Sequence, residues 1–581
     1  MPVWMGCSRT QPPRRPERNA VPRFLVVDNR APPLSDSPSP LIAEHWLAAL
    51  ADYPGHLPYL LSDIITFGAR LGYEGPEQFV LADNLASALE DPEVIDRQLE
   101  SDLRLGRVTE VAVPDAPLII SPLGLVPKQD GGWRRIHHLS HPPGGSVNDG
   151  IPSDYGSLRY SAIDDVLGMV RAAGRGCWII KKDLKEAFRM VPVAPAHRWL
   201  LGFRWRGRYY MENCLSFGLR TAPFIFNLFA EGLHWLWLRS QPWLRLRHYL
   251  DDFIGVLPPE LAHRHGLVHA KFRSWIDYLG LIHAEKKDAE GTVVDVLGIE
   301  IDTEKMEARL PASKLAKAAR LVNAALTDGS VTGYTARELA GYLSFCAAVV
   351  VLGRTYLTRL WAFIATFRSQ RARRPLTGSA VSDLCWWQEW LPYFNGIRLL
   401  DDSDRPVAHI WTDASSLGIG GFWYAGDVSD WHAALPVPQE QAFYAPRRDG
   451  LHINVAETEA AAALIKAVAG LGTYGRAVVH VDNTTAESAL RSGTGRSQGA
   501  MVHIRAALGV AAAADLDLAV VRVTSEDNGL ADALSRADWP TIANLCPNWQ
   551  VPLRPSRPRT LYAGSGHVAG PPATLSSSGS A

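Results

Sequence analysis

Tyr249-Leu250-Asp251-Asp252 constrains this chain more than any other stretch. Leu244 to Arg247 alternates apolar and basic residues, and Phe253 to Leu257 is a short apolar run. That pattern predicts two strands with the acids at the tip of a hairpin between them. Adjacent like charges on ordered strands are costly unless something positive meets them. A divalent cation is the simplest partner, and hard oxygen ligands suit Mg²⁺. Taken alone, the pair also fits a solvated turn.

A further acid lies upstream. Cys177 to Phe188 reads as a strand running into a turn, with Asp183 at the strand's end and Phe188 shortly after it. A third carboxylate on a neighbouring strand completes the ligand set of a two-metal site. In such sites, cations about 3.5–4 Å apart serve an attacking and a leaving oxygen. By itself Asp183 also fits a helix N-cap.

Asp183-Leu-Lys-Glu-Ala-Phe188 and Tyr249-Leu-Asp-Asp252 resemble the first and third catalytic motifs of reverse transcriptases. Leu215 to Asn227 resembles the second, and Ser121 to Ser140 the fingers hairpin. Ser146 to Ile151, Ala284 to Lys287 and Val296 to Ile301 follow in the expected order. The wording of Ser146 to Ile151, of Leu219 to Pro223 and of the Asp-Asp motif is most similar to DIRS-type retrotransposons. The resemblance implies that Asp183, Asp251, Asp252 and the backbone carbonyl of Leu184 hold two Mg²⁺, with Mn²⁺ as a substitute. It implies that Lys128 and Arg134, on a hairpin turned by Asp130-Gly131-Gly132, clamp a triphosphate. Arg offers a bidentate fork for that purpose. Phe188 takes the sugar-gate position, where a ring under the ribose excludes a 2′-hydroxyl. Phe217 and Gly218 form the floor under the nucleotide, where glycine permits close backbone approach. Lys286 matches a lysine that assists pyrophosphate departure.

A second constellation begins past residue 405. His409 to Trp423 reads as a strand, an acid (Asp413), a Gly-rich turn and another strand. His452 to Leu464 reads as a helix with Glu457 in its first turn. Ala477 to Thr485 ends a strand at Asp482, and Asn528 caps a helix that presents Asp532 one turn in. Four acids from four elements can converge on one metal pair. Together they resemble the Asp-Glu-Asp-Asp set of ribonuclease H domains, in the order expected after a reverse transcriptase. Glu457 is preferred over Glu459 because it precedes Ala460 and Ala461, small residues that allow close packing. Where many ribonucleases H carry a loop histidine, the stretch here is Val521 to Asp527, with Arg522 near that place.

The expected fold class is a multidomain α/β (α+β) chain. A right-hand polymerase of fingers, palm, thumb and connection is followed by a ribonuclease H-like domain. Its expected boundaries are 1–75 (variable, largely disordered), 76–305 (fingers and palm), 306–365 (thumb), 366–405 (connection), 406–540 (nuclease) and 541–581 (disordered tail). Pro311–Ala325 and Thr335–Leu352 read as thumb helices, with Thr335-Ala-Arg-Glu338 as a capping box. Ser382 to Trp390 reads as a connection helix. With 581 residues, 47% hydrophobic, the chain is large enough for several domains. A net charge of −1 does not announce a nucleic-acid partner. A groove must therefore come from local patches such as Arg204/Arg206/Arg208 and Arg239/Arg245/Arg247. Trp235/Trp237 and Trp386/Trp387 read as core rather than stacking platforms. Six scattered cysteines without a C-x-x-C pair suggest neither a disulfide framework nor a zinc knuckle. No signal core or membrane span is evident, so an intracellular setting, cytoplasm or nucleus, is expected. No Asp-Thr/Ser-Gly protease motif is seen, and the stretch past residue 540 is short for an integrase.

The expected activity is RNA- and DNA-templated DNA synthesis from dNTPs with hydrolysis of the RNA strand of hybrids, in retrotransposon replication. The expected partners are primed RNA and DNA templates, RNA–DNA hybrid and dNTPs, with no membrane and an open oligomeric state. The alternative is a catalytically inactive, nucleic-acid-binding remnant.

Overall fold

A computed structural model describes residues 23–25, 32–112, 117–127, 132–158, 163–350, 352–394, 397–399, 406–425, 437–447, 450–495, 497–514 and 516–549. The chain divides into two compact α/β units, Met1–Met306 and Glu307–Ala581.

In the first unit, the apolar run after the paired acids forms the strand Asp252–Leu257. It pairs antiparallel with Arg245–Tyr249 on one side and with Trp178–Asp183 on the other. Ala289–Gly291 adds to the far edge of the Trp178–Asp183 strand. The helix Ala222–Ser240 carries Phe226, Phe229, Leu233 and Trp237 into the core against Phe253 and Phe272. A second sheet contains Phe79–Leu81, Leu118–Ile120, Gly202–Trp205, Arg208–Glu212 and Val108–Val111 in that order. The predicted hairpin forms from Leu123–Pro127 and Trp133–His137.

Within the N-terminal region, expected to be largely disordered to residue 75, the sequence carries helical periodicity around Leu41–Leu50 and Leu60–Leu71, and helices form there. Ala43–Ala49 and Leu57–Phe67 are helices. Trp46, Leu50 and Leu61 are fully buried in the same cluster as the helix Ala222–Ser240. Trp46 stacks edge-on against Phe229 and donates its indole N–H to the carbonyl of Leu279 at 3.0 Å. The apolar periodicity of this stretch is thus part of the unit's core.

In the second unit, Ala312–Asp328, Gly333–Cys346 and Gly378–Phe394 are helices. The helix expected to start at Thr335 begins earlier. Thr332 is its cap, and the reciprocal capping bonds run between Thr332 and Thr335, not between Thr335 and Glu338. Trp387 is buried, and Trp386 stacks on Tyr356 with ring centres 4.1 Å apart. A five-stranded sheet follows, ordered Ala442–Pro446, Gly418–Tyr424, Val407–Ala414, Arg476–Val481 and Asp517–Arg522. Its first three strands run antiparallel and its last two parallel to the centre. The helix Trp539–Leu545 extends past the expected boundary at residue 541, while the stretch from Pro552, expected to be disordered, lies outside the described residues. Trp549 donates to the carbonyl of Val437 at 2.7 Å. Among the described residues no helix is long and apolar enough to cross a membrane.

One buried ion pair fastens the helix Gln498–Ala513 within this unit. Arg505 reaches the fully buried Asp383 at 2.7 Å, donates to the Thr355 carbonyl and Thr358 Oγ1, and lies over the Tyr356 ring. Removing one partner strands a buried charge, so Asp383→Asn should cost about 3–5 kcal/mol. Urea unfolding of the full chain measures this. A loss under about 1 kcal/mol would place the pair with weak surface bridges.

Candidate active sites

The first site forms at the ends of the central strands. Asp252 lies directly opposite Asp183 across the ladder, and also opposite Tyr249. Asp251 stands in the turn, after Leu250 in a left-handed conformation at φ 53°. That backbone is costly for a branched side chain, and such strain concentrates where geometry serves function. The Leu184 N–H donates to the Asp251 carbonyl at 3.1 Å, tying the two acid-bearing segments together. Asp183 is 4% exposed. Burial raises the Asp251 pKa, and the charge of Asp183 adds to it. Burial likewise pushes Asp252 up to about 6, with Lys181 opposing and Asp251 and Asp183 reinforcing.

Cations reach this group from two strand neighbours. Lys287 Nζ donates to both carboxylate oxygens of Asp183 at 3.0 Å. Lys181 Nζ is 3.8 Å from Asp252. Lys286, expected to assist pyrophosphate departure, and Lys287 are both exposed on the three-residue turn Glu285–Lys287, and the Lys287 ammonium meets the acid. Adjacent lysines on one short turn cannot be told apart from sequence. Arg134 is exposed on the hairpin strand, and its charge lowers the Asp251 pKa. Lys128 lies outside the described residues.

Phe188, Phe217 and Phe226 form one ring cluster beside Gly218, which with Phe217 forms the floor in the sequence expectation. Phe188 lies half-buried between Phe217, at 4.9 Å between ring centres, and Phe226, at 5.9 Å. Phe217 is 43% exposed. Gly218 has φ +99°, and a Cβ there would meet the His137 carbonyl oxygen at 2.4 Å, so no other residue fits without a backbone shift.

Sequence reasoning missed the charge network behind this floor. Arg189 bonds Glu212 and reaches Asp102 at 3.2 Å. Arg135 reaches Asp102 at 2.7 Å and Glu212 at 3.3 Å. Arg107 reaches Glu186 at 2.6 Å. Burial works against the Arg189 charge, but Glu212 and Asp102 hold its pKa raised. Glu186 and Arg189 directly follow the Asp183 strand, so the network anchors that segment to the second sheet.

The arginine patches expected to form a groove are largely neutralised. Arg204 pairs with Asp83 at 2.8 Å, Arg206 with Asp96 at 2.5 Å, Arg208 with Glu110 at 3.3 Å, and Arg239 with Asp52. Arg245 donates to the Ala172 carbonyl.

The second site gathers Asp413, Glu457 and Asp482, whose ligand atoms lie within 4.8 Å of one another. Asp413 is on the central strand, and Asp482 follows the parallel strand Arg476–Val481. Glu457 belongs to the helix Ile453–Leu471, just past its first turn rather than within it. Glu459 is not in the group. Asp532 lies on the helix Gly529–Ser535 and pairs with Arg536 at 2.8 Å. Asn528 does not cap that helix with its side chain; it is buried and donates to the Thr412 carbonyl at 3.0 Å. The glycines expected in a turn lie in the strand Gly418–Tyr424. A Cβ at Gly420 would meet the Ser535 nitrogen at 2.4 Å, so glycine there lets the Asp532 helix approach. Ser535 Oγ in turn donates to Asp413 at 2.6 Å, and Ser525 Oγ donates to Asp482 at 3.1 Å. Arg522 is exposed at its strand's end.

Both sites fit divalent cations. Asp252 Oδ1 and Glu457 Oε2 are buried and accept no hydrogen bond. A buried carboxyl oxygen without a hydrogen-bond donor, beside other carboxyl groups, is the environment a hard cation satisfies.

Residues 126–301 match the family model of reverse transcriptase (RNA-dependent DNA polymerase). The Pro-Pol polyprotein of simian foamy virus type 1 is 30% identical over 132 residues, covering 23% of this chain and 10% of the relative. That of feline foamy virus is 24% identical over 184 residues, covering 32% and 14%. The chain thus spans about a tenth to a seventh of the length of these relatives. Among solved structures, a foamy viral protease–reverse transcriptase with double-stranded DNA is 16% identical, with a TM-score of 0.44, over 84% of this chain and 82% of that one. The foamy viral enzyme with RNA/DNA hybrid is 13% identical, with a TM-score of 0.42, over 80% and 79%.

The second site makes a pH prediction. Burial, then the charges of Asp413 and Asp482, push Glu457 from its ordinary 4.5 up to about 9. Burial, with Asp482 and Asp532 adding and Ser535 opposing, pushes Asp413 from 3.8 up to about 6. The folded state therefore holds protons that the unfolded chain releases, and metal-free stability falls as pH rises from about 4 to about 9. Cation binding must expel those protons. Calorimetry of Mg²⁺ binding at pH 7 in buffers of different ionisation heat should show proton release, strongly reduced in Glu457→Gln. Unchanged release in that variant would remove Glu457 from the site.

Proposed function

We propose that this chain is a reverse transcriptase with ribonuclease H activity, extending primers on RNA and DNA templates from dNTPs and hydrolysing the RNA of hybrids. The observation that carries the reading is the placing of Asp183 opposite Asp252 on paired strands, inside the segment that matches the reverse transcriptase family. The convergence of Asp413, Glu457 and Asp482 supports the nuclease half. Asp183, Asp251, Asp252 and the Leu184 carbonyl would hold one pair of Mg²⁺, and Asp413, Glu457, Asp482 and Asp532 another, with Mn²⁺ as a substitute. Bound cations supply the Lewis acidity that such phosphoryl chemistry needs.

The chain's own residues do the positioning. Arg134, with Lys128, steers the triphosphate; Phe217 and Gly218 carry the nucleotide, and Phe188 excludes a 2′-hydroxyl. Lys286, and Lys287 already on Asp183, are the lysines placed to meet phosphate oxygens. Ser535 and Ser525 orient Asp413 and Asp482. The matched foamy viral enzymes were solved with double-stranded DNA and RNA/DNA hybrid, which supports nucleic acid as the partner. The DIRS-type assignment and an intracellular setting rest on motif wording and the sequence pattern alone.

The two chemistries should separate. Asp251→Asn should slow primer extension by roughly 10³-fold or more while leaving hybrid cleavage near wild type. Asp482→Asn should extend a primer on RNA yet leave the copied strand intact. Wild-type cleavage by Asp482→Asn would overturn the nuclease assignment, and near-normal extension by Asp251→Asn the polymerase one.

Phe188→Val should admit ribonucleotides, because it trims the ring and keeps an apolar wall. Single-nucleotide incorporation of GTP against dGTP measures this. Unchanged discrimination would make Phe188 a core residue only.

A further inference from the structure

His265 and His269 are four residues apart on the helix His265–Leu279, so their rings share one face. Glu290 comes from the edge strand Ala289–Gly291. Ligand atoms of the three lie within 4.8 Å of one another. His269 Nε2 is 2.7 Å and His265 Nδ1 3.2 Å from the same oxygen, Glu290 Oε2. Around a tetrahedral metal with bonds of about 2.0–2.1 Å, neighbouring donor atoms stand about 3.3 Å apart. Both observed nitrogen–oxygen distances lie within about 0.6 Å of that tetrahedral spacing.

The surroundings suit an ion. Trp178 donates its indole N–H to Glu290 at 3.3 Å, the kind of outer contact that orients a ligand carboxylate. Burial works against the Glu290 charge, but bonds from His269 and Trp178 hold its pKa below the ordinary value. His269 and Glu290 also line a cavity of about 400 Å³, so a coordination position can stay open to it. The cations on its wall are already paired, Lys182 with Asp288 and Arg273 with Glu285. Two imidazoles and one carboxylate favour Zn²⁺ over Mg²⁺, in contrast to the all-carboxylate groups at the two proposed active sites.

We propose that His265, His269 and Glu290 form a transition-metal site, best suited to Zn²⁺, with one coordination position open to the adjoining cavity. The bound ion clamps the helix to the strand Ala289–Gly291. That strand pairs with the one ending in Asp183, Ala289 facing Lys181. The site therefore stiffens the edge of the polymerase sheet from outside its carboxylates.

Co²⁺ titrated into the purified full chain, with Mg²⁺ in excess, tests this. Imidazole ligands at low coordination number give Co²⁺ strong visible absorption, which six-coordinate carboxylate sites do not. The expected result is a band saturating at an equimolar amount and displaced by Zn²⁺, with Zn²⁺ raising the melting temperature. His265→Gln and His269→Ala should each abolish the band or weaken Zn²⁺ binding at least about tenfold, with the far-ultraviolet dichroism of the parent. The His265 side chain is 43% exposed, so its replacement disturbs packing least. Absence of the band, or a band unchanged in His265→Gln, overturns the proposal and leaves an ordinary histidine–glutamate ion pair.

Discussion

Repulsion among buried carboxylates governs how both acid groups are built. Each places several like charges out of water, and each charge is held by an element that cannot relax away. Asp183 and Asp252 are fixed by facing positions on paired strands. Asp251 is fixed by a left-handed Leu250 and by the Leu184 N–H on its carbonyl. Asp413 sits on the central strand of its sheet and Glu457 on a helix packed over it. A loop would swing such side chains into solvent; strand ends and a packed helix do not allow it. The cost appears as raised pKa values, and a divalent cation removes it.

The two groups meet that repulsion differently. The first has lysines within reach, Lys287 on Asp183 and Lys181 near Asp252. The second is eased chiefly by hydroxyl donors, Ser535 on Asp413 and Ser525 on Asp482, with Arg536 held by Asp532. Hydroxyls fix orientation but add no positive charge. Burial is the main cause of the upward shifts in both groups, to about 9 at Glu457 and to about 6 at Asp413 and Asp252.

Local pattern made much of this legible. Alternation around Tyr249 to Asp252 located the hairpin, and an apolar run ending in an acid located Asp183, because strand period and turn position are local properties. Contacts distant in sequence were not legible. Asn528 looked like a helix cap, but a buried carbonyl of Thr412 claims its amide. Thr335 with Glu338 fitted a capping box, yet Thr332 preceded it as an equally good cap. The glycines after Asp413 looked like a turn because nothing local announces that a helix will press against Gly420. His265, His269 and Glu290 meet only because one helix packs beside one edge strand.

The arginine–acid network that anchors the segment after Asp183 has an evolutionary consequence. Arg135, Arg189 and Glu212 are each shared by two partners and Asp102 by three, and all four are largely shielded from solvent. No member can be exchanged singly without stranding a charge in a dry setting. Drift through this region must therefore proceed by compensated pairs of changes. Variation among descendants of such a chain should be correlated across positions 102 to 212, although Asp183, Asp251 and Asp252 themselves stay the same.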